Sequence, residues 1–199
     1  MVDTERLLAG YLVLSRTAWQ DWQDAGLPSG PLISMSGCVT DLVPAMRDGW
    51  DDWFDDPVSA GRARTREELR VLAVGFAAAD APALLQDMVM RPEHGGVAAR
   101  LARGEVFPAE HSGPVRGFEL VGHDHGIWHT WTCLDGLVDD VGQATGVRPG
   151  AWGLIEDEQQ ARRAAEWLTE SGLGDPKVDL WAAALVVDVT DEGSGVTAA

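Results

Sequence analysis

The stretch VDLWAAALVVDV, at positions 178–189, limits the fold of this chain more than any other. After its first residues it is apolar on both faces, and a strand with this pattern has to be covered on both sides of its sheet. Its three consecutive alanines leave a helix open as the alternative. We predict a buried central strand, so the rest of the chain must supply its neighbouring strands and the layers that cover them.

A histidine-rich hairpin is predicted ahead of that strand. Residues 117–123 and 127–133 alternate as strands do, and GHDHGIWHTWTC at 122–133 spans the turn between them. This stretch holds three histidines, an aspartate and one of the two cysteines of the chain. It therefore raises two hypotheses, a metal site or a tight hairpin, and the register of the two strands decides between them.

In the first register the turn has two residues, His125 and Gly126. Gly122 then faces His129, so His123 and His129 point to opposite faces of the hairpin, because side chains alternate along a strand. This register sorts the apolar side chains onto one face, and the hydrophobic pattern therefore favours it. We predict the two-residue turn, with no metal and no cofactor.

In the second register the turn has three residues, 124–126. Glu119, His123 and His129 then share one face of the hairpin, where they could converge on an ion such as zinc. These three residues are the alternative metal ligands. The second register mixes charged and aromatic side chains on both faces, which makes it the less favoured of the two.

Periodic apolar residues and capping signals predict several helices. Asp3 or Thr4 caps a first helix that ends at Gly26, and the capping box at 65–68 begins another. The inward residues expected for these two helices are Leu8, Tyr11, Leu12, Trp19, Trp22, Leu69, Leu72, Ala73 and Phe76. Further helices are predicted after Asp80, over 134–145, and over 157–171 with Asp157 as the cap.

Together these elements predict an α+β fold with several helices packed on a small, mainly antiparallel sheet. Residues 1–190 are expected to form a single domain. The linker-like stretch at 57–64 is the candidate junction of a helical subdomain that would span 1–60. Residues 191–199 are expected to be a disordered tail.

The segment GWDDWFDDP, at 49–57, is the candidate partner-binding surface. On a helix its three aromatic side chains would share one face and its four aspartates would point largely outward. We name residues 50–56 the acidic-aromatic lip; it consists of Trp50, Asp51, Asp52, Trp53, Phe54, Asp55 and Asp56. The alternative interpretation is a surface helix that the aromatic side chains anchor to the core.

The charge of the chain excludes some partners and favours others. It has 32 acidic and 15 basic residues and a net charge of −17, to which residues 1–59 contribute −7, residues 60–116 contribute +1 and residues 117–199 contribute −11. Such a field repels nucleic acids and anionic membranes and attracts cationic partners. No apolar run reaches the length of a membrane span and the start of the chain lacks a basic leader, so we expect a cytoplasmic protein.

Small size, strong acidity, nine tryptophans and the lack of a familiar catalytic motif make the chain similar in bulk properties to bacterial immunity proteins. That resemblance implies a non-enzymatic protein that binds and neutralises a basic protein; it assigns no residue and no oligomeric state. The alternative is a small-molecule binder or enzyme with a pocket lined by Trp128, Trp131 and Trp152, made metal-dependent by the histidine-rich hairpin.

Overall fold

The computed structural model describes residues 5–15, 32–36, 53–88, 96–109, 111–124, 127–174 and 178–190. These residues form an α+β fold with one five-stranded antiparallel sheet. In sheet order its strands are β1 (Arg6–Ser15), β2 (Leu69–Ala77), β5 (Trp181–Asp188), β3 (Val115–Asp124) and β4 (Ile127–Thr130). The helices are α1 (Pro57–Ala63), α2 (Ala81–Met88), α3 (Gly96–Arg103), α4 (Leu137–Thr145) and α5 (Glu158–Ser171).

The stretch at 178–189 contains the central strand, as predicted. Every residue of β5 is buried, and the strand pairs with β2 on one side and β3 on the other. Apart from Trp181 and Asp188 at its ends, its side chains are alanine, valine and leucine, so apolar neighbours can cover both of its faces. The histidine-rich hairpin lies directly beside it, which is also as predicted.

The sheet is strongly curled. Phe76 on β2 stacks on Trp128 on β4 with 5.8 Å between the ring centroids, although three strand spacings separate these strands. In a flat sheet those spacings would add up to about 14 Å. Ala182 and Ala184 of β5 share a face with Glu119 of β3, and their small side chains leave room for the larger ones to meet. The face of the sheet that carries Glu119, Ala182 and Ala184 lies on the inside of the curl, and we call it the concave face.

Helices cover the opposite, convex face and one edge of the sheet. Helix α5 packs on β5 and β3, α4 packs on α5, and α3 packs on β1. The bounds of α5 follow from its sequence, because the Asp157 side chain accepts a hydrogen bond from the Gln160 N–H and Gly172 ends the helix in a left-handed conformation. The structure has a helix in each of the predicted ranges 134–145 and 157–171, and α4 begins three residues later than predicted. None of the helices in the described ranges is both long and apolar enough to cross a membrane.

The prediction of a first helix that ends at Gly26 is wrong for residues 6–15, which the structure describes. Residues 6–15 form β1, which pairs with β2 along its whole length. The run RLLAGYLVLS is apolar at nearly every position, so it satisfies helical spacing and strand alternation equally well. Gly10, which lowers helix stability, marks a bulge where any Cβ would meet the Arg100 guanidinium. The predicted inward residues Trp19 and Trp22 lie outside the described residues.

The capping box at 65–68 precedes a strand rather than a helix. Residues 69–77 form β2, whose LRVLAVGFA sequence is apolar on both faces and pairs with a strand on each side. The stretch at 57–64 holds α1 instead of a linker, since Pro57 begins the helix and Asp56 caps it. Within 1–60, β1 belongs to the same sheet as the hairpin and α1 packs on β1. The division of the chain into domains stays a prediction. The predicted tail at 191–199 lies outside the described residues.

Candidate functional site

The hairpin adopts the register that the hydrophobic pattern favours. Gly122 pairs with His129, and His123 pairs with Trp128, as expected for a turn of two residues. His123 and Glu119 therefore lie on the concave face, whereas His129 points to the other side. Among the residues described here, no group of three or more histidine, cysteine or carboxylate side chains is arranged to hold a metal ion. The alternative ligands Glu119, His123 and His129 are thus not brought together.

Glu119 is the most unusual group on the concave face, because its carboxyl is 1% exposed. One carboxyl oxygen accepts a 2.7 Å hydrogen bond from the Ser34 hydroxyl, and the other accepts one of 2.7 Å from the Met35 N–H. The Ser34 hydroxyl also lies 3.0 Å from the Thr130 hydroxyl. Burial raises the pKa of Glu119 to about 7, against the opposing effect of these hydrogen bonds. The carboxyl holds residues 32–36 against the sheet, and it is sealed from any substrate.

An aromatic cluster fills the concave face beside Glu119. Trp128 is 1% exposed, stacks on Phe76, and meets Trp53 at 5.6 Å and His123 at 5.0 Å between ring centroids. Its indole N–H has no hydrogen-bond partner among the described residues. This is the packing of a core, because rings of this kind stabilise a fold through their buried area and their stacking.

The three tryptophans of the predicted pocket lie apart. Trp128 is in the concave core, whereas Trp131 is fully buried beside Leu120, whose side chain points to the convex face. Trp152 lies at a third place, in a turn, with the Arg116 guanidinium 4.3 Å above its ring. The described ring contacts bring none of these tryptophans onto another, and the pocket that they would line stays a prediction.

The acidic-aromatic lip is not helical where it is described. The backbone of Phe54 exchanges two hydrogen bonds with Tyr11 of β1, which makes this part of the lip extended. Trp53 is 6% exposed and packs on Trp128, so its side chain belongs to the core. The lip residues Trp50, Asp51 and Asp52 lie outside the described part of the chain.

The two remaining aspartates of the lip have structural partners. Asp55 forms an ion pair with Arg100, whose guanidinium is 1% exposed. Asp56 accepts hydrogen bonds from the backbone and side chain of Ser59 at the start of α1, and those bonds lower its pKa. Both carboxylates therefore contribute to the fold, and both stay exposed to solvent.

An open cleft lies on the convex side, between α5, β5 and the turn that follows β2. Its volume is about 200 Å³. Its polar walls come from α5 and from that turn, and its floor comes from the first half of β5. The lining residues are Asp80, Arg162, Ala165, Glu166, Thr169, Glu170, Leu180, Trp181, Ala182 and Ala183. No sequence pattern indicates this cleft, because its walls come from segments that are distant along the chain.

Comparisons with known proteins add no assignment to this geometry. No protein-family model, curated protein or solved structure matches the chain. The function is therefore argued from the chemistry of the described surface and of the cleft alone.

Proposed function

We propose that the protein acts by binding a basic protein partner through an acidic face formed by α4, α5 and the turns around them. The observation that carries this proposal is the set of exposed carboxylates on these elements. We call this set the α4–α5 face; it consists of Asp135, Asp140, Glu156, Asp157, Glu166, Glu170 and Asp179. Helix α5 has 14 residues, so its acidic groups are spread over a length of about 20 Å.

The arginines offset the charge of these elements only in part, since the described range 135–174 has eight carboxylates and three cations, Arg148, Arg162 and Arg163. Arginines in the described chain contact carboxylates, as in the pair of Arg6 with Glu158 on α5 at 2.6 Å and the pair of Arg116 with Asp188 at 2.7 Å. The arginines in such contacts are Arg6, Arg66, Arg100, Arg103, Arg116, Arg148 and Arg162. Because the chain has 17 more acidic than basic residues, pairing the arginines leaves an uncompensated negative surface.

A surface of this kind attracts positively charged proteins over a long range and raises their association rate. The proposal places the partner on the α4–α5 face instead of the acidic-aromatic lip, because Trp53 would have to leave the core to reach a partner. Basic proteins that need neutralising, such as enzymes that bind nucleic acids, are the class of partner that best fits the charge.

Affinity capture from the source organism tests this proposal when it is done with matched variants. The test variant is Asp135→Asn with Glu156→Gln, both exposed on the α4–α5 face. The control is Glu67→Gln with Glu68→Gln, exposed on the turn before β2, which removes the same amount of charge. We expect the wild type and the control to recover the same basic protein, identified by mass spectrometry, and the test variant to recover less of it. Equal recovery by all three proteins, or a partner without excess positive charge, would contradict the proposal.

A further inference from the structure

Residues 32–36, which we call the strap, lie on the concave face of the sheet and are buried along their whole length. They belong to none of the strands and helices of the fold. The Ile33 N–H donates to the carbonyl of Trp152 over 3.0 Å, whereas Ser34 and Met35 bind the sheet through side chains of β3 and β4. Because these bonds end on side chains, the strap can leave the sheet without breaking a strand ladder.

One carboxyl group, that of Glu119, joins the strap to the sheet. It accepts hydrogen bonds of 2.7 Å from the Ser34 hydroxyl and from the Met35 N–H. From Ser34 a chain of hydroxyls continues to Thr130 at 3.0 Å and on to Thr132 at 3.1 Å. A hydroxyl can donate and accept, so the Ser34 oxygen can accept from a protonated Glu119, and its O–H can donate to an ionised one. The network therefore closes in both forms, and the two forms differ mainly in the free energy of burying a charge.

No cation among the described residues offsets the charge that Glu119 carries when it ionises. Burial raises its pKa to about 7, against hydrogen bonds from Ser34, Met35 and Thr130, and no charged group contributes to the shift. The strap itself has no ionisable side chain. The other ionisable or charged side chains on the concave face or beside it are His123 on β3, Arg70 on β2, Asp188 on β5 with its partner Arg116, and Cys133, whose sulfur accepts a hydrogen bond from the Thr130 N–H.

We propose that the strap is a pH-dependent latch, which protonated Glu119 holds closed and which shifts toward an open state, with the sheet intact, when Glu119 ionises. In the open state water reaches the carboxylate, so its charge no longer has to be buried. The backbone of Glu119 stays paired with Ala184 of β5 in both states. This inference goes beyond the proposed function, because it uses no residue of the α4–α5 face.

The direction of the effect follows from proton binding. The pKa of Glu119 is about 7 in the closed state and 4.5 once the carboxyl is exposed, so between these values the closed state holds more protons. Opening is least favourable below pH 4.5, becomes easier as the pH rises, and changes no further once the pH passes about 7. The whole difference corresponds to a rise of about 300-fold in the ratio of open to closed molecules.

Amide hydrogen exchange, followed by NMR between about pH 5 and about pH 8, measures the open fraction. The exchange rate of each N–H is divided by its intrinsic rate in an unfolded peptide at the same pH. The probes are the N–H groups of Ile33 and Met35, and the reference is that of Val186, which lies in both ladders of β5. We expect the open fraction at both probes to rise by about 70-fold over this range.

Two variants assign the pH dependence to one carboxyl. Glu119→Gln keeps the shape of the side chain but cannot ionise, so we expect the open fraction at Met35 to change by less than about threefold over the same range. Glu67→Gln, which removes an exposed carboxylate on the turn before β2, is the matched control and should behave as the wild type.

Low concentrations of urea separate the opening of the strap from unfolding of the whole protein. Global unfolding exposes the entire core, so the exchange that it causes accelerates steeply with urea, whereas opening of the strap exposes little surface. We expect exchange at Met35 to depend weakly on urea and to report a larger open fraction than exchange at Val186.

Three results would overturn the inference. The first is an open fraction at Met35 that does not change with pH in the wild type. The second is the same pH dependence in Glu119→Gln, which would assign it to another group. The third is an equal open fraction and an equal urea dependence at Met35 and Val186, because the strap would then open only when the protein unfolds. None of these results bears on the α4–α5 face, so the proposed function is tested separately.

Discussion

Replacing Glu119 by glutamine should stabilise the protein at high pH, and this stabilisation should be much smaller at low pH. Glutamine has nearly the same shape, and its amide can keep the network, with the carbonyl accepting from the Met35 N–H and the amino group donating to the Ser34 hydroxyl. It differs from the wild type in that it cannot ionise. The comparison therefore isolates the free energy of burying one carboxylate.

The sign and size of the effect follow from the pKa of Glu119. Its value is 4.5 in an unperturbed chain and about 7 in the folded protein, so between these values the folded state holds more protons than the unfolded state. The contribution of Glu119 to stability is then complete below pH 4.5, falls as the pH rises, and is lost once the pH passes about 7. The difference between the two pKa values corresponds to about 3 kcal/mol in the free energy of unfolding.

Urea denaturation of both proteins at several pH values measures this effect. From about pH 5 to about pH 8, the stability of Glu119→Gln relative to the wild type should rise by about 2–3 kcal/mol. Glu67→Gln, at an exposed position, is the control and should show no comparable change. If the difference in the free energy of unfolding between Glu119→Gln and the wild type stays constant across this range, or falls with pH, the account is refuted. That account is of a buried carboxyl with no compensating cation among the described residues.

Two further substitutions test the stability of the fold, one in the core and one at the start of α5. Trp131→Ala should lower the free energy of unfolding by about 3–5 kcal/mol, because its side chain is fully buried, and an unchanged denaturation midpoint would place it outside the core. Asp157→Ala removes the hydrogen bond to the Gln160 N–H at the start of α5 and should cost about 1 kcal/mol, with Asp157→Asn as the control that keeps the cap. Thermal unfolding of the three proteins would show whether the cap has this effect.

The sequence predicted those parts of the fold that local signals determine. The register of the hairpin followed from alternation, since one choice of turn sorted the apolar side chains and the other mixed them. Helix α5 followed from Asp157 at its start and Gly172 at its end. The strands β1 and β2 were mistaken for helices because their residues are apolar at almost every position, which satisfies both periods at once.

The candidate sites depend on contacts that no local pattern encodes. The hydrogen bond between Ser34 and Glu119 joins residues 85 positions apart, and a lone glutamate in an apolar strand was the sole signal for it. The cleft between α5, β5 and the turn that follows β2 depends on where the ladder of β2 and β5 ends, which is a property of the curled sheet and not of either strand. The burial of Trp53 in the lip depends on Trp128, a residue 75 positions away along the chain, so no local pattern indicates it.

The central claim, that the α4–α5 face attracts a basic partner, is tested most directly by the association rate constant of the captured partner as a function of salt. The measurement compares the wild type with Asp135→Asn/Glu156→Gln and with Glu67→Gln/Glu68→Gln, which remove equal charge from different places. Electrostatic steering predicts that association slows by about tenfold or more when salt rises from about 50 mM to about 200 mM. It also predicts slower association and a weaker salt dependence for the first variant alone. An association rate that does not respond to salt, or that falls equally in both variants, would contradict the claim.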